Sequence, residues 1–170
     1  VTSQNDNSIK RDTCFPEKLE NFIVSGPHFF VGNPLNKTPR EICTDRSHYD
    51  VLDLTFIPDD YLSRTIYVPG CEFKEYLSRI PRVPWAEDSQ EYEVISSKLN
   101  SFYRLAFRGM IGSWAERTLI GTIIPKGCMH INACKSYVFS QRVKLEFITF
   151  GAFTCSLPYD FVLKSSGRSN

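Results

Sequence analysis

The chain has little of what marks several protein classes, and each shortage excludes something. No apolar run nears the ~20 residues of a membrane span, and the opening is polar rather than an apolar leader core. The expectation is therefore a cytoplasmic protein with no membrane partner. No cysteine forms a C-x-x-C pair: Cys14, Cys43, Cys71, Cys128, Cys134 and Cys155 are widely and irregularly spaced. A chain of 170 residues does not need disulfide staples, so reduced thiols are expected. Cys128, His130 and Cys134 could supply three metal ligands, but a closed structural zinc site needs four, so no metal is assigned. The three histidines, His28, His48 and His130, lie far apart, and none sits beside a serine or cysteine in a nucleophile elbow. There is no glycine-rich turn after an opening strand to hold a nucleotide-like cofactor, and no internal repeat. The chain also lacks a starting methionine and stops in a polar tail, which reads as a piece of a longer protein.

What is present is a core and a divided charge. The chain is 42% hydrophobic and 14% aromatic, which excludes disorder and fits one domain, 13–170, after a polar lead-in at 1–12. Net charge is only +1, too small for a generic polyanion binder. Yet residues 1–100 hold 11 Lys/Arg against 16 Asp/Glu, whereas 101–170 hold 9 against 3. A basic C-terminal part can face phosphate, where each neutralised charge releases counterions; it can equally be a solvated surface.

Patterning places short strands at 22–25 and 28–31 around Gly26-Pro27, a stronger strand at 49–57, and an exposed loop at 61–70. Phe73, Tyr76, Leu77 and Ile80 have helical spacing over 72–80. Asp88 and Glu91 form a capping-box pair opening a helix at 89–100. Residues 103–108 and 117–124 read as strands, with 129–132 pairing to the second. Residues 142–153 fit strand or helix equally, and 157–163 is a short apolar element. Without a βαβ rhythm, this predicts an α+β fold: a mixed, mainly antiparallel sheet with a few helices.

Arg64, Arg104, Arg108, Arg117, Lys126 and Lys135 interleave with Tyr67, Phe102, Tyr103, Phe107 and Trp114, a composition suited to gripping phosphates and reading base edges. The same alternation also describes strands that are half core and half solvated rim. The stretch 113–131 condenses the question. A polar Arg-Thr loop runs into Leu119, Ile120, Ile123 and Ile124, then stops at Pro125-Lys126-Gly127. An enzyme reading rests on Glu72-Phe73-Lys74 with Asp53 upstream, the carboxylates and lysine of a metal-dependent nuclease. An E-x-K triplet also occurs by chance on exposed helices.

Several segments resemble one group of type II restriction–modification proteins. They are 22–40, 49–54 and 60–67, then Tyr103-Arg-Leu-Ala-Phe-Arg108 followed by Glu116-Arg-Thr-Leu-Ile120 and Ile124-Pro125, and finally Ser156-Leu-Pro-Tyr-Asp-Phe161 with Lys164, Gly167 and Asn170. The resemblance covers roughly 22–170. It implies a target recognition domain of adenine-N6 DNA methyltransferase proteins, a module that reads double-stranded DNA. A separate methyltransferase domain or subunit would bind S-adenosylmethionine, and a fused or partner nuclease would use Mg2+. The family's Asn-Pro-Pro-aromatic motif is not here: Gly32-Asn33-Pro34-Leu35-Asn36 has Leu35 and Asn36 where the second proline and the aromatic belong. No catalytic residue and no cofactor are therefore assigned to this chain. Arg117, Arg108 and Arg64 are the first expected DNA contacts, with Lys126, Asn132 and Arg104 supporting. Arg117 has a structural alternative, pinning a loop through Glu116 or a buried carboxylate. A third reading makes the chain a protein-interaction module docking onto a methyltransferase or nuclease subunit through Trp85 and Trp114.

Overall fold

A computed structural model describes residues 4, 6–45, 47–83, 85, 98–109, 115–140 and 144–166. The architecture is α+β, with helices packed on small, mostly antiparallel sheets. Strand β1 (Ile9–Cys14) pairs antiparallel with β5 (Thr65–Pro69), β3 (Lys37–Pro39) with β4 (Tyr49–Val51), and β2 (Ile23–Val24) parallel with β8 (Met129–His130). The largest sheet has the order β7-β6-β9, with β6 (Arg104–Arg108) antiparallel to both β7 (Gly121–Ile124) and β9 (Cys134–Val138). Helix α1 (Phe73–Ser78) follows β5, and α2 (Lys144–Thr154) and α3 (Leu157–Ser165) close the chain.

Strand β6 organises the interior because both its faces are covered. Leu105 and Phe107 pack with Phe147 of α2. Ala106, on the other face, joins Phe22, Val24, Phe29, Ile120, Ile124, Cys128 and Cys134. A second cluster puts Ile9 and Ile23 against Tyr76 and Ile80 of the α1 segment and Met129 of β8. Gly121 must be glycine for this packing, since a Cβ there would lie 2.5 Å from the Phe107 ring.

The expected strand at 103–108 and helix at 72–80 form, and the described part of the ambiguous 142–153 region, from Lys144 on, is helix α2, burying Phe147, Gly151 and Thr154 at helical spacing. Residues 157–163 fall in α3, which Ser156 caps by accepting from Tyr159 N–H. Elsewhere long-range pairing overrides local pattern. The exposed loop expected at 61–70 is instead strand β5, with Thr65 and Ile66 buried, and its partner β1 begins inside the expected lead-in. The expected strand at 28–31 does not form: His28 ends a 3-10 turn over Gly26–His28, and Phe30 makes only an isolated bridge to Asn33. The expected strand at 49–57 ends at Val51, where Asp53 caps a 3-10 turn over Leu54–Phe56. Residues 129–132 supply β8, which pairs with β2 rather than with 117–124. The expected helix at 89–100 lies mostly outside the described residues; its end, Leu99 and Asn100, belongs to a 3-10 turn.

Candidate nucleic-acid interface

The six candidate contacts separate by environment. Arg104 and Arg108 occupy alternate positions with Ala106 on β6, so both side chains start on the face that meets the core. Arg104 is 1% exposed and donates to the Cys128 carbonyl, with Cys128 Sγ and Met129 Sδ at 3.8 and 3.9 Å. Burial pulls its pKa below the usual guanidinium value. The expectation that Arg104 supports DNA contact is therefore corrected: a strand covered on both faces has no solvated rim at that position.

Arg117 is also turned inward. Its Nε lies 3.3 Å from Asp160 Oδ2, and its Nη2 donates to the carbonyls of Cys155 (2.9 Å) and Ser156 (3.3 Å). Asp160 Oδ1 accepts from the N–H groups of Thr118 and Leu119, both at 2.8 Å. One buried carboxylate thus ties the loop before β7 to the start of α3. Only 12% of the Arg117 side chain and 7% of the Asp160 side chain are exposed, too little for Arg117 to lead a contact with DNA. The structural alternative for Arg117 matches this geometry, with Asp160 as the carboxylate.

Arg64 is half-buried. Its Nη1 donates to Pro39 O at 3.2 Å and its guanidinium stacks 4.5 Å from the Phe15 ring centroid. Lys126 is exposed in the turn after β7, where Gly127 takes φ +91°, and its Nζ lies 5.4 Å above the Tyr103 ring. Asn132 is exposed in the turn between β8 and β9. Arg108 is half-buried, donates from Nη2 to Phe29 O and lies over the Phe29 and Phe30 rings. It has no carboxylate partner among the described residues, its Nε has no hydrogen-bond partner, and desolvation lowers its pKa.

Of the six, Arg108 and Asn132 line a common cleft of about 450 Å³, together with Arg11, Ser25, Asp45, Tyr49 and Tyr67. The cleft floor is well fixed. His28 Nδ1 accepts from Ser25 N–H (2.9 Å), its Nε2 faces Arg64 O (2.9 Å), and Ser25 Oγ meets Tyr49 Oη at 2.9 Å. Because Nδ1 accepts, the proton resides on Nε2 and is donated to Arg64 O. Burial holds His28 neutral, with its pKa pushed down to about 4. This Ser–His pair is a capping box on the 3-10 turn, not a nucleophile and its base. Arg11 was missed as a site residue because it falls in the segment read as lead-in; the β-branched and aromatic run at 65–68, which pairs with it, was the available signal.

The residues of the nuclease reading do not form a carboxylate cluster. Asp53 Oδ1 accepts from Thr55 N–H and Oγ1, while Glu72 occupies the N-cap of α1. Among the described residues, no group of three His, Cys, Asp or Glu side chains could hold a metal ion. Cys128 Sγ donates to Pro125 O, and His130 Nε2 lies 2.8 Å from Ser136 Oγ. Gly32-Asn33-Pro34-Leu35 is a turn, with Leu35 N–H bonded to Asn33 Oδ1 and Gly32 at φ +71°. No helix among the described residues is long and apolar enough to cross a membrane. Comparison with protein-family models, curated proteins and solved structures gives no match.

Proposed function

We propose that this chain is a sequence-reading, non-catalytic DNA-binding module of a restriction–modification or phage-defence protein. It would work in the cytoplasm beside a methyltransferase or nuclease domain or subunit that supplies S-adenosylmethionine or Mg2+ chemistry. The observation that carries this reading is unmatched positive charge. Among the described residues after 100, the only ion pair is Arg117–Asp160, which leaves Arg108, Lys126 and Lys135 without carboxylate partners. Cations held this way fit phosphate oxygens, and the exposed Asn132 amide beside Arg108 suits a base edge. Fluorescence anisotropy with duplexes over a salt series tests it. Alanine at Arg108, Lys126 or Lys135 is expected to lower the slope of log K against log salt by about 1 each. Asn132→Ala is expected to relax sequence preference in a selection from random duplexes. Absence of duplex binding at low salt would overturn the reading.

One observation favours the protein-docking alternative. Helices α2 and α3 leave Leu145 and Phe161 more than 70% exposed, with Ile148, Phe153, Leu157 and Val162 also exposed. Apolar side chains so placed suit a protein interface. Trp85, expected there, is exposed and packs edge-on against Phe102, while Trp114 lies outside the described residues. Co-purification with a methyltransferase or nuclease subunit that Phe161→Ser abolishes, without duplex binding, would favour docking.

A further inference from the structure

The cleft at Arg108 is shaped for something smaller than a duplex. It is lined by Arg11 of β1, Tyr49 of β4 and Ile66 and Tyr67 of β5, and by Arg108 and the turn carrying Ile131, Asn132 and Ala133. Its volume of about 450 Å³ suits one nucleotide-sized ligand and is too small for a base pair with its backbone. Arg11 is held in place by donating from Nη2 to Cys43 O at 2.6 Å. Arg108 brings a guanidinium that no described carboxylate neutralises and an Nε without a partner. A half-buried cation in that state is stabilised by an anion that enters beside it. Asp45, the one acidic residue lining the cleft among the described residues, accepts from Ser47 N–H within its own turn. Tyr67, partly exposed, and the Asn132 amide add what a bare anion does not need: an aromatic ring and a paired donor and acceptor.

We propose that this cleft binds a single unpaired nucleotide unit, with its phosphate on Arg108 and Arg11 and its base between Tyr67 and the Asn132 amide. The proposal rests on the DNA reading for where such a unit comes from, a strand of the bound nucleic acid. It makes the cleft a subsite for one extrahelical nucleotide, separate from the paired phosphates that Lys126 and Lys135 would meet.

Titration of the full chain with the four deoxynucleoside monophosphates, with inorganic phosphate and with deoxyadenosine, followed by calorimetry and NMR shifts, tests it. At least one monophosphate is expected to bind saturably and at least tenfold more tightly than phosphate or the nucleoside, and Arg108→Gln to weaken it at least tenfold. Arg11→Ala, at an exposed position, is expected to do the same and covers the case in which the Arg108 variant does not fold. Equal binding of phosphate and nucleotides, or unchanged affinity in a folded variant, would overturn the proposal. A duplex with one unpaired nucleotide should displace the bound monophosphate at least tenfold more effectively than a fully paired duplex of the same sequence. If neither displaces it, free nucleotides are the source and the extrahelical subsite is wrong. Duplex binding without any nucleotide binding would sink the cleft proposal and leave the DNA reading standing; nucleotide binding without duplex binding would sink the DNA reading and the extrahelical source, and leave only a free-nucleotide cleft.

Discussion

Arg117 and Arg108 begin in the same basic half of the chain and end in opposite circumstances. Arg117 is closed off: its Nε, though without a hydrogen bond, lies 3.3 Å from the Asp160 carboxylate, two carbonyls accept from its Nη2, and Asp160 in turn accepts two backbone N–H groups. Arg108 opens on a cleft with one carbonyl and two aromatic rings for company. A positive charge in sequence is thus not yet a contact. What decides is whether the fold encloses the cation among internal acceptors, a carboxylate for Arg117 and a carbonyl with two sulfur atoms for Arg104, since a buried cation costs several kcal/mol unless it is paired.

The two regions should respond differently to perturbation. The largest effect is expected from Asp160→Ala, which strands the Arg117 guanidinium and the N–H groups of Thr118 and Leu119; a loss of ~3–5 kcal/mol is expected in urea unfolding. Acid should act on the cleft side. His28 beneath the cleft and His130 on β8 both have pKa values pushed down to about 4 by burial, against the ordinary value of 6.5. Between those values the unfolded chain binds more protons than the folded one, so stability falls as pH drops from 6.5 toward 4 and is flat above 6.5. Each histidine should contribute a loss on the order of 3 kcal/mol over that window. Urea midpoints measured against pH check this, and His130→Gln should remove one of the two contributions.

Arg108→Leu should change stability by no more than ~1 kcal/mol in either direction, because it removes a desolvated charge along with one hydrogen bond. Its DNA affinity should nonetheless fall, which anisotropy would read. Lys126→Ala is the mildest case, shifting the urea midpoint by less than ~0.5 kcal/mol equivalent while reducing the salt slope by about 1.

How much of this was legible depended on range. Local signals located α1 and β6, since apolar spacing at 73–80 and alternation at 103–108 carry their own period. Long-range pairing was illegible where the flanks misled. Arg64 and Pro69-Gly70 made β5 look like a loop, and the polar character of 1–12 hid its partner β1. The candidate site shows the same limit. Alternation marks 103–108 as a strand, but nothing local in the sequence shows that α2 would cover its Leu105 and Phe107 face while Phe22, Val24, Phe29 and Cys128 cover the face of Arg104 and Arg108. For Arg117 the reading through a buried carboxylate was available, yet Asp160 lies 43 positions away in a segment valued for its resemblance alone.

The most direct test of the central contrast is the salt dependence of duplex binding by Arg108→Gln and Arg117→Gln, measured beside their urea midpoints. The account predicts that Arg108→Gln lowers the slope by about 1 with a nearly unchanged midpoint, while Arg117→Gln lowers the midpoint and, in the folded fraction, keeps the wild-type slope. A reduced slope for folded Arg117→Gln together with an unchanged slope for Arg108→Gln would contradict it.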